Sequence, residues 1–321
     1  MSEQAPVISI IIVSFNTRDV TLACIRSIYD HAGSVPVEVI VVDNASEDGS
    51  ADAIAKEFPQ TTLIADTENR GFAGANNRGL EIARGEWLLL LNPDTEINAE
   101  TLDATRAHAE TDPEIGIIGV RCFGDDGEQQ STIFRYPKLL DTIVNVLVPN
   151  KLMRKSKMLG RSRYIGVSRE ESLDVEIVAG CYMFTRREAY EQAGGMDDRF
   201  FMYGEEAEWC FRVHRHGWKI RYFPGASILH YGGISTEKCM SEMNLAMARS
   251  HLLLMQRVRG RAAAWIANFC MLLRDLPRAL AWPFIKLSPI GRNEVVAEGM
   301  RRASGRLRVH FLGLTKTDWS R

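Results

Sequence analysis

Trp87-Leu88-Leu89-Leu90-Leu91 is a run of five apolar residues that stops at Asn92-Pro93-Asp94-Thr95. A run without alternation suits a strand buried on both faces, as strands are inside a parallel sheet. Pro93 has no N–H to give to a ladder, so the strand must end near Asn92. Asp94 then stands at the carboxyl end of a central strand, where open α/β sheets hold their ligands. Taken alone, Asn-Pro-Asp-Thr reads more readily as a turn than as a site, with Asp94 capping the next helix.

The residues before it decide the fold class. Residues 8–13 form a β-branched run and predict a buried strand; Ser14-Phe15-Asn16-Thr17 is the loop after it. Val20, Leu22, Cys24, Ile25, Ile28 and Tyr29 follow helical spacing over 18–32. Residues 37–42 are a second apolar strand ending at Asp43-Asn44, and a turn over 46–50 leads to a helix at 50–57. A short strand at 61–65, a glycine-rich turn at 69–74 and a helix to about Ala83 complete the approach to Trp87. Strand and helix alternate through the first 90 residues, which predicts a doubly wound, mostly parallel α/β sheet. The strand ends at Ser14, Asp43, Asp66–Gly71 and Asn92–Asp94 then share one edge, the expected crevice.

Beyond Thr95 the spacing predicts a helix at 99–111, a strand at 116–121 and a polar turn, Gly124-Asp125-Asp126-Gly127. Residues 137–173 lack periodicity and are basic at 151–157; a loop of that length suits a functional lid or a mobile segment. A strand over 175–184 is interrupted by Gly180, a helix follows at 186–193, and a loop over 196–204 precedes a helix at 205–217. Strands are expected near 219–223 and 227–229. Residues 1–240 are thus expected to form a catalytic domain, and 241–321 an Arg-rich helical region. The longest uncharged stretch of that region, 262–273, is too short to span a bilayer. With Trp265, Trp282, Phe284 and many arginines beside it, it suits helices lying in a membrane interface, or else an ordinary helical appendage.

The net charge of −2 points to no nucleic-acid partner. Six cysteines lie scattered without a CxxC pair, as in reduced cytoplasmic proteins, and no secretory signal is expected at the N-terminus.

Four motifs stand in order: Val41-Val42-Asp43-Asn44-Ala45-Ser46-Glu47-Asp48-Gly49-Ser50; Asn69-Arg70-Gly71-Phe72-Ala73-Gly74-Ala75-Asn76-Asn77-Arg78-Gly79; Leu91-Asn92-Pro93-Asp94; and Phe200-Phe201-Met202-Tyr203-Gly204-Glu205-Glu206-Ala207-Glu208-Trp209-Cys210-Phe211-Arg212, with His230 after it. Over about residues 7–235 the ordered set resembles the inverting glycosyltransferases of family 2 with a GT-A fold, and most of all their rhamnosyltransferase-like branch.

The resemblance implies a sugar, rhamnose in that branch, moved from a dTDP- or UDP-linked donor to a hydroxyl of a glycan or lipid-linked saccharide at the inner face of the cell membrane. Asp43 would accept from the N3–H of uracil or thymine, or else simply open a turn; Ser14 and Asn16 would flank base or ribose. Gly71 lets backbone approach the nucleotide and leads into a helix N-terminus that favours anions. Asn69 and Asn76 are expected beside it. Asp94 would hold a divalent metal, Mg2+ or Mn2+, with His230 as second ligand; Asn92 replaces the acid that many members carry and would contact ribose or a metal-bound water. Gly180 and Cys181 would line the donor-sugar side. Glu206 maps onto the general base, one methylene longer than the usual Asp, with Glu205 as its alternative. Two rivals remain at this stage: a nucleotidyltransferase acting on sugar phosphates, which would carry a glycine-rich basic N-terminal loop, and an inactive glycan-binding scaffold of the same fold.

Overall fold

The computed structural model describes residues 6–33, 35–147, 164, 168–232, 240–286 and 294–315. The described chain divides into two compact units, one over residues 1–135, 166–201 and 205–237, the other over 136–165, 202–204 and 238–321.

The first unit opens with β1 (Ile8–Ser14), every residue of which is buried, then α1 (Arg18–His31), β2 (Val37–Asp43), α2 (Ser50–Glu57), β3 (Thr62–Ala65), α3 (Gly71–Ile82) and β4 (Trp87–Leu91). α1 turns Cys24, Ile25 and Ile28 inward at i, i+1, i+4, the stripe expected of a helix packed on a sheet. Strands β3, β2, β1 and β4 lie side by side in that order, all parallel. The chain therefore reverses its direction of travel across the sheet between β1 and β4. Their carboxyl ends border a topological switch point, where such sheets open a crevice.

The second half of the sheet is mixed. β5 (Thr95–Ile97), α4 (Thr101–Glu110), β6 (Ile115–Phe123) and β7 (Ile133–Phe134) are followed, after α5 (Leu139–Leu147), by β8 (Leu173–Asp174), β9 (Ile177–Val178), β10 (Tyr182–Arg186), α6 (Arg187–Ala193), α7 (Glu205–Arg215) and β11 (Lys219–His230). The nine-strand sheet runs β3-β2-β1-β4-β10-β6-β11-β5, with β8 also on β11. β10 inserts antiparallel between β4 and β6, whereas β11 lies parallel to β6. The strand expected over 175–184 is thus two strands in different sheets: β9 pairs β7, and β10 enters the main sheet, with Gly180 and Cys181 turning between them. The two strands expected at 219–229 are one, β11, with a register shift between Phe223 and Ser227 around Pro224-Gly225.

The second unit is helical. α8 (Met240–Arg259), α9 (Arg261–Ile285) and α10 (Glu294–Thr315) pack on one another, and α5 packs on α9. The stretch expected as a structureless insertion thus contains a helix, which clusters with the C-terminal helices; the rest of that insertion, 148–163 and 165–167, lies outside the described residues. Asp275, fully buried on α9, takes two hydrogen bonds from Arg306 (2.6 and 3.0 Å) and one from Arg274 (3.0 Å), and stands 3.2 Å from Nε2 of His310. On the outside of α9, Ile266, Phe269, Leu273, Leu280 and Phe284 are all exposed, Phe284 by 83%. Their spacing sets them on one helical face. None of the described helices is long and apolar enough to cross a membrane.

Candidate active site

The ends of β4, β10, β6 and β11 meet at one spot. Pro93 ends β4, and the chain turns back into β5, with Thr95 Oγ1 donating to the Asn92 carbonyl at 2.7 Å. That turn is tied down on both sides: Asn92 N donates to Cys181 O at 3.1 Å, and Tyr231 N donates to Asp94 O at 3.0 Å. The second bond carries the end of β11 to the acid, so His230 Nε2 lies 3.4 Å from Asp94 Oδ1. Asp94 is 6% exposed. Asn92 Nδ2 reaches 3.5 Å from the same ring nitrogen. The sequence-derived trio Asn92, Asp94 and His230 therefore comes together from positions nearly 140 apart.

The other ring nitrogen is also engaged. His230 Nδ1 lies 2.7 Å from Gln130 Oε1, and Gln130 Nε2 donates to the His230 carbonyl at 2.8 Å. Burial by itself lowers the His230 pKa, but the Asp94 hydrogen bond, with the charges of Cys181 and Asp94, outweighs it and raises the group above its ordinary value. A carboxylate 3.4 Å from an imidazole nitrogen is satisfied by a proton on that nitrogen or by a metal ion beside the pair. Among the described residues no three His, Cys, Asp or Glu side chains cluster as a complete metal cage. Two ligands nevertheless fit Mg2+ or Mn2+, which bind through one or two protein groups and complete their shells with substrate phosphates and water.

At the other side of the switch point, Asp43 ends β2 and is 3% exposed. Its Oδ2 accepts from Ser46 N at 3.1 Å, the turn that the sequence allows. Its Oδ1 is buried with no hydrogen-bond partner among the described residues. One oxygen thus makes the turn, and the other is a buried acceptor without a donor, an arrangement that is costly unless a ligand satisfies it. Asn16, at φ 54°, clamps the same loop: its N–H donates to Ser46 Oγ at 2.9 Å and its Oδ1 accepts from Glu47 N at 2.8 Å.

Other expected contacts are engaged by protein neighbours. Ser14 is fully buried, its hydroxyl 3.1 Å from Thr21 Oγ1 and 3.3 Å from Thr17 Oγ1. Asn76 is 1% exposed and its amide donates back to Phe72 O at 2.9 Å, so it braces α3. Asn69 Oδ1 accepts from Gly71 N (2.8 Å) and from Asn44 Nδ2 (2.9 Å), shaping the glycine-rich turn from within. Gly71 itself, at φ +72°, is required by a protein neighbour: a Cβ there would overlap the Phe201 carbonyl oxygen, which accepts from Phe72 N at 3.0 Å. The close approach expected of a nucleotide is made by the loop ahead of α7.

That loop leads to the acids. Glu205 is 4% exposed, while Glu206 is half-buried. Gly180 faces Glu206 and Phe72: a Cβ built on it would stand 3.7 Å from Glu206 Cβ and 3.5 Å from the Phe72 ring, so glycine keeps the approach to Glu206 open. Glu208 pairs with Arg212 at 2.8 Å; burial pushes its pKa up and Arg212 only partly restores it. Arg212 also donates to the Ala193 and Gly195 carbonyls, which fastens α7 to the end of α6. Cys181 is buried with Sγ 3.6 Å from Cys122 Sγ, and its carbonyl rather than its thiol serves the Asp94 turn. Sequence reasoning missed Gln130 and Asn44: each is a neutral amide whose partner lies far along the chain, and no spacing announces it.

Residues 9–194 match the sequence profile of the family described as Glycosyl transferase family 2. An N-acetylglucosaminyl-diphospho-decaprenol L-rhamnosyltransferase of Mycobacterium tuberculosis is 29% identical over 217 residues, covering 63% of this chain and 68% of that protein. Among solved structures, the mannosyltransferase PcManGT from Pyrobaculum calidifontis, in complex with GDP-Man and Mn2+, superposes with a TM-score of 0.55 at 17% identity, covering 94% of this chain and 87% of that one. GalNAc-T7 with UDP, GalNAc and Mn2+ gives 0.58 at 14% identity, covering 98% and 59%. These likenesses, with the sheet described above, make the fold GT-A.

Proposed function

Because the chain belongs to glycosyl transferase family 2, we propose that it moves a sugar, with inversion at the anomeric carbon, from a nucleoside-diphosphate donor to a hydroxyl of a lipid-linked saccharide or growing glycan. The likeness to the mycobacterial rhamnosyltransferase supports rhamnose as the sugar and a diphospho-polyprenol saccharide as the acceptor; in this reading the carrier is dTDP or UDP. The observation that carries the proposal is the Asp94–His230 pair at the switch point, two cation-seeking groups 3.4 Å apart.

In this reading Asp43 Oδ1 accepts the imide N–H of the base, and the loop clamped by Asn16 keeps that oxygen in place. Asp94 and His230 would hold a divalent cation, which would neutralise the departing diphosphate. Asn92, beside them, would contact ribose or a water on that ion. Glu206 takes the proton of the acceptor hydroxyl as its oxygen attacks the anomeric carbon from the face opposite the leaving nucleotide. The exposed apolar face of α9 rests on the inner leaflet, where a lipid-linked acceptor would be presented; Phe269→Ser with Phe284→Ser should weaken sedimentation with liposomes, and unchanged binding would remove the membrane from the proposal.

The test is donor hydrolysis over a panel of dTDP-, UDP- and GDP-sugars, with Mn2+ or Mg2+ and with EDTA. Turnover should require the metal and prefer a pyrimidine carrier. Glu206→Gln should slow transfer on the order of 10²–10⁴-fold while donor binding persists. A full rate in Glu206→Gln with loss in Glu205→Gln would move the base to Glu205.

A further inference from the structure

We propose that Gln130 is a positioning residue that locks the His230 ring in the tautomer whose Nε2 lone pair faces Asp94, ready for a divalent cation. The inference rests on the metal-centre reading of Asp94 and His230. Its basis is a two-point clamp. Gln130 Nε2 donates to the His230 backbone carbonyl at 2.8 Å, which fixes the amide's orientation and leaves Oε1 facing Nδ1 at 2.7 Å. An amide oxygen can only accept, so Nδ1 carries the hydrogen, and a neutral imidazole then has its lone pair on Nε2. Asn92 Nδ2, a donor 3.5 Å from Nε2, favours the same tautomer from the other side of the ring.

The turn at 124–127 exists to deliver this amide. Gly127, at φ +75°, closes it with an N–H to the Gly124 carbonyl at 3.0 Å, and Asp126 Oδ1 accepts from Glu128 N at 2.9 Å. The returning chain bridges Phe123 through Gln129, and Gln130 N donates to Cys122 O at 2.9 Å. The clamp is thereby anchored to the end of β6, the strand that β11 lies along. Metal-binding histidines in general donate their second N–H to such a partner, and losing that partner weakens metal affinity by about 10- to 100-fold.

The test combines selective 15N-histidine labelling with Mn2+ binding. In metal-free protein, in alkaline buffer where the ring is neutral, the 15N spectrum should show His230 protonated at Nδ1; the resonance is identified by its loss in His230→Ala. Mn2+ affinity, followed by electron paramagnetic resonance in the presence of UDP, should fall about 10- to 100-fold in Gln130→Met. UDP binding in EDTA, which also reports folding, should stay at the parent value. Gln130→Glu keeps an acceptor for Nδ1–H but loses the donor to the His230 carbonyl, so it should retain the tautomer and lose less Mn2+ affinity than Gln130→Met. A parent His230 protonated at Nε2, or parent-like Mn2+ affinity in Gln130→Met, would overturn the role of Gln130. Unchanged Mn2+ affinity in His230→Ala would instead overturn the metal centre itself.

Discussion

Each unit of the molecule holds an aspartate beside a histidine, and the two pairs are built alike. In the sheet unit Asp94 faces His230 Nε2 at 3.4 Å; in the helical unit Asp275 faces His310 Nε2 at 3.2 Å. Each histidine is clamped by an amide that donates to its backbone carbonyl and faces its Nδ1: Gln130 at 2.8 and 2.7 Å, Asn268 at 3.1 and 2.8 Å. They differ in what neutralises the acid. Asp275 has Arg306 and Arg274 hydrogen-bonded to it and Arg278 at 3.8 Å. Asp94 has, among the ion pairs of the described residues, only His230. The first arrangement is complete as folded and holds α9 to α10. In the proposed reading the second takes a cation from outside. On that reading the same local geometry serves cohesion or chemistry according to where the arginines stand.

That contrast can be broken in several ways. The largest effect should come from Asp94→Ala, which removes the proposed anchor of the ion and should lower metal-dependent transfer on the order of 10²–10³-fold; initial rates over a Mn2+ series check it. Asp275→Asn should leave the chemistry of the sheet unit alone but cost about 3 kcal/mol of folding stability, because it strands buried positive charge; urea unfolding measures it. A smaller, graded effect is expected with acid. Burial alone would raise the Asp275 pKa, but hydrogen bonds from His310, Arg306 and Arg274 outweigh it and hold the carboxyl well below its ordinary value of 3.8. A group depressed in the folded state contributes stability above its unfolded pKa and loses it as pH falls. The helical unit should therefore weaken below about pH 4, with a shallower slope in Asp275→Asn when followed by near-ultraviolet circular dichroism. The smallest effect is expected for metal-free Asp94→Asn, which keeps a polar partner for the ring and removes a charge that no arginine among the described residues offsets; its stability should stay within about 1 kcal/mol of the parent, the scale of one exchanged hydrogen bond. A large loss there would make Asp94 a structural residue like Asp275.

The two pairs were not equally legible in the sequence. The Asp94 pair shows because an apolar run stops at it, and because strand ends in an alternating α/β chain fall on one edge. Apolar runs report burial without direction, so the antiparallel entry of β10 between β4 and β6, which supplies the Cys181 carbonyl under Asn92, could not be read. Asp43 was legible as a turn or as a ligand; one oxygen makes the turn and the other is buried without a donor among the described residues. Ser14 stands at a strand end and Asn76 within a motif that point to the crevice, but position along the chain does not give the direction of a side chain. The Asp275 network lay hidden for another reason. Hydropathy marks 262–273 and 279–285 as apolar and passes over the acid between them, whose partners Arg306 and His310 come from the next helix.

Gly71 carries a consequence for anyone exchanging parts between relatives. Its missing side chain admits the Phe201 carbonyl, which is bonded to Phe72 N at the start of α3. The segment ahead of the acidic helix is therefore keyed to the glycine-rich turn 130 positions earlier. A transplanted loop that reroutes the backbone at Phe201 would leave that amide unanswered, and a turn brought from elsewhere without glycine would push the loop aside. The two stretches form a single interchangeable cassette, to be moved together or left in place together.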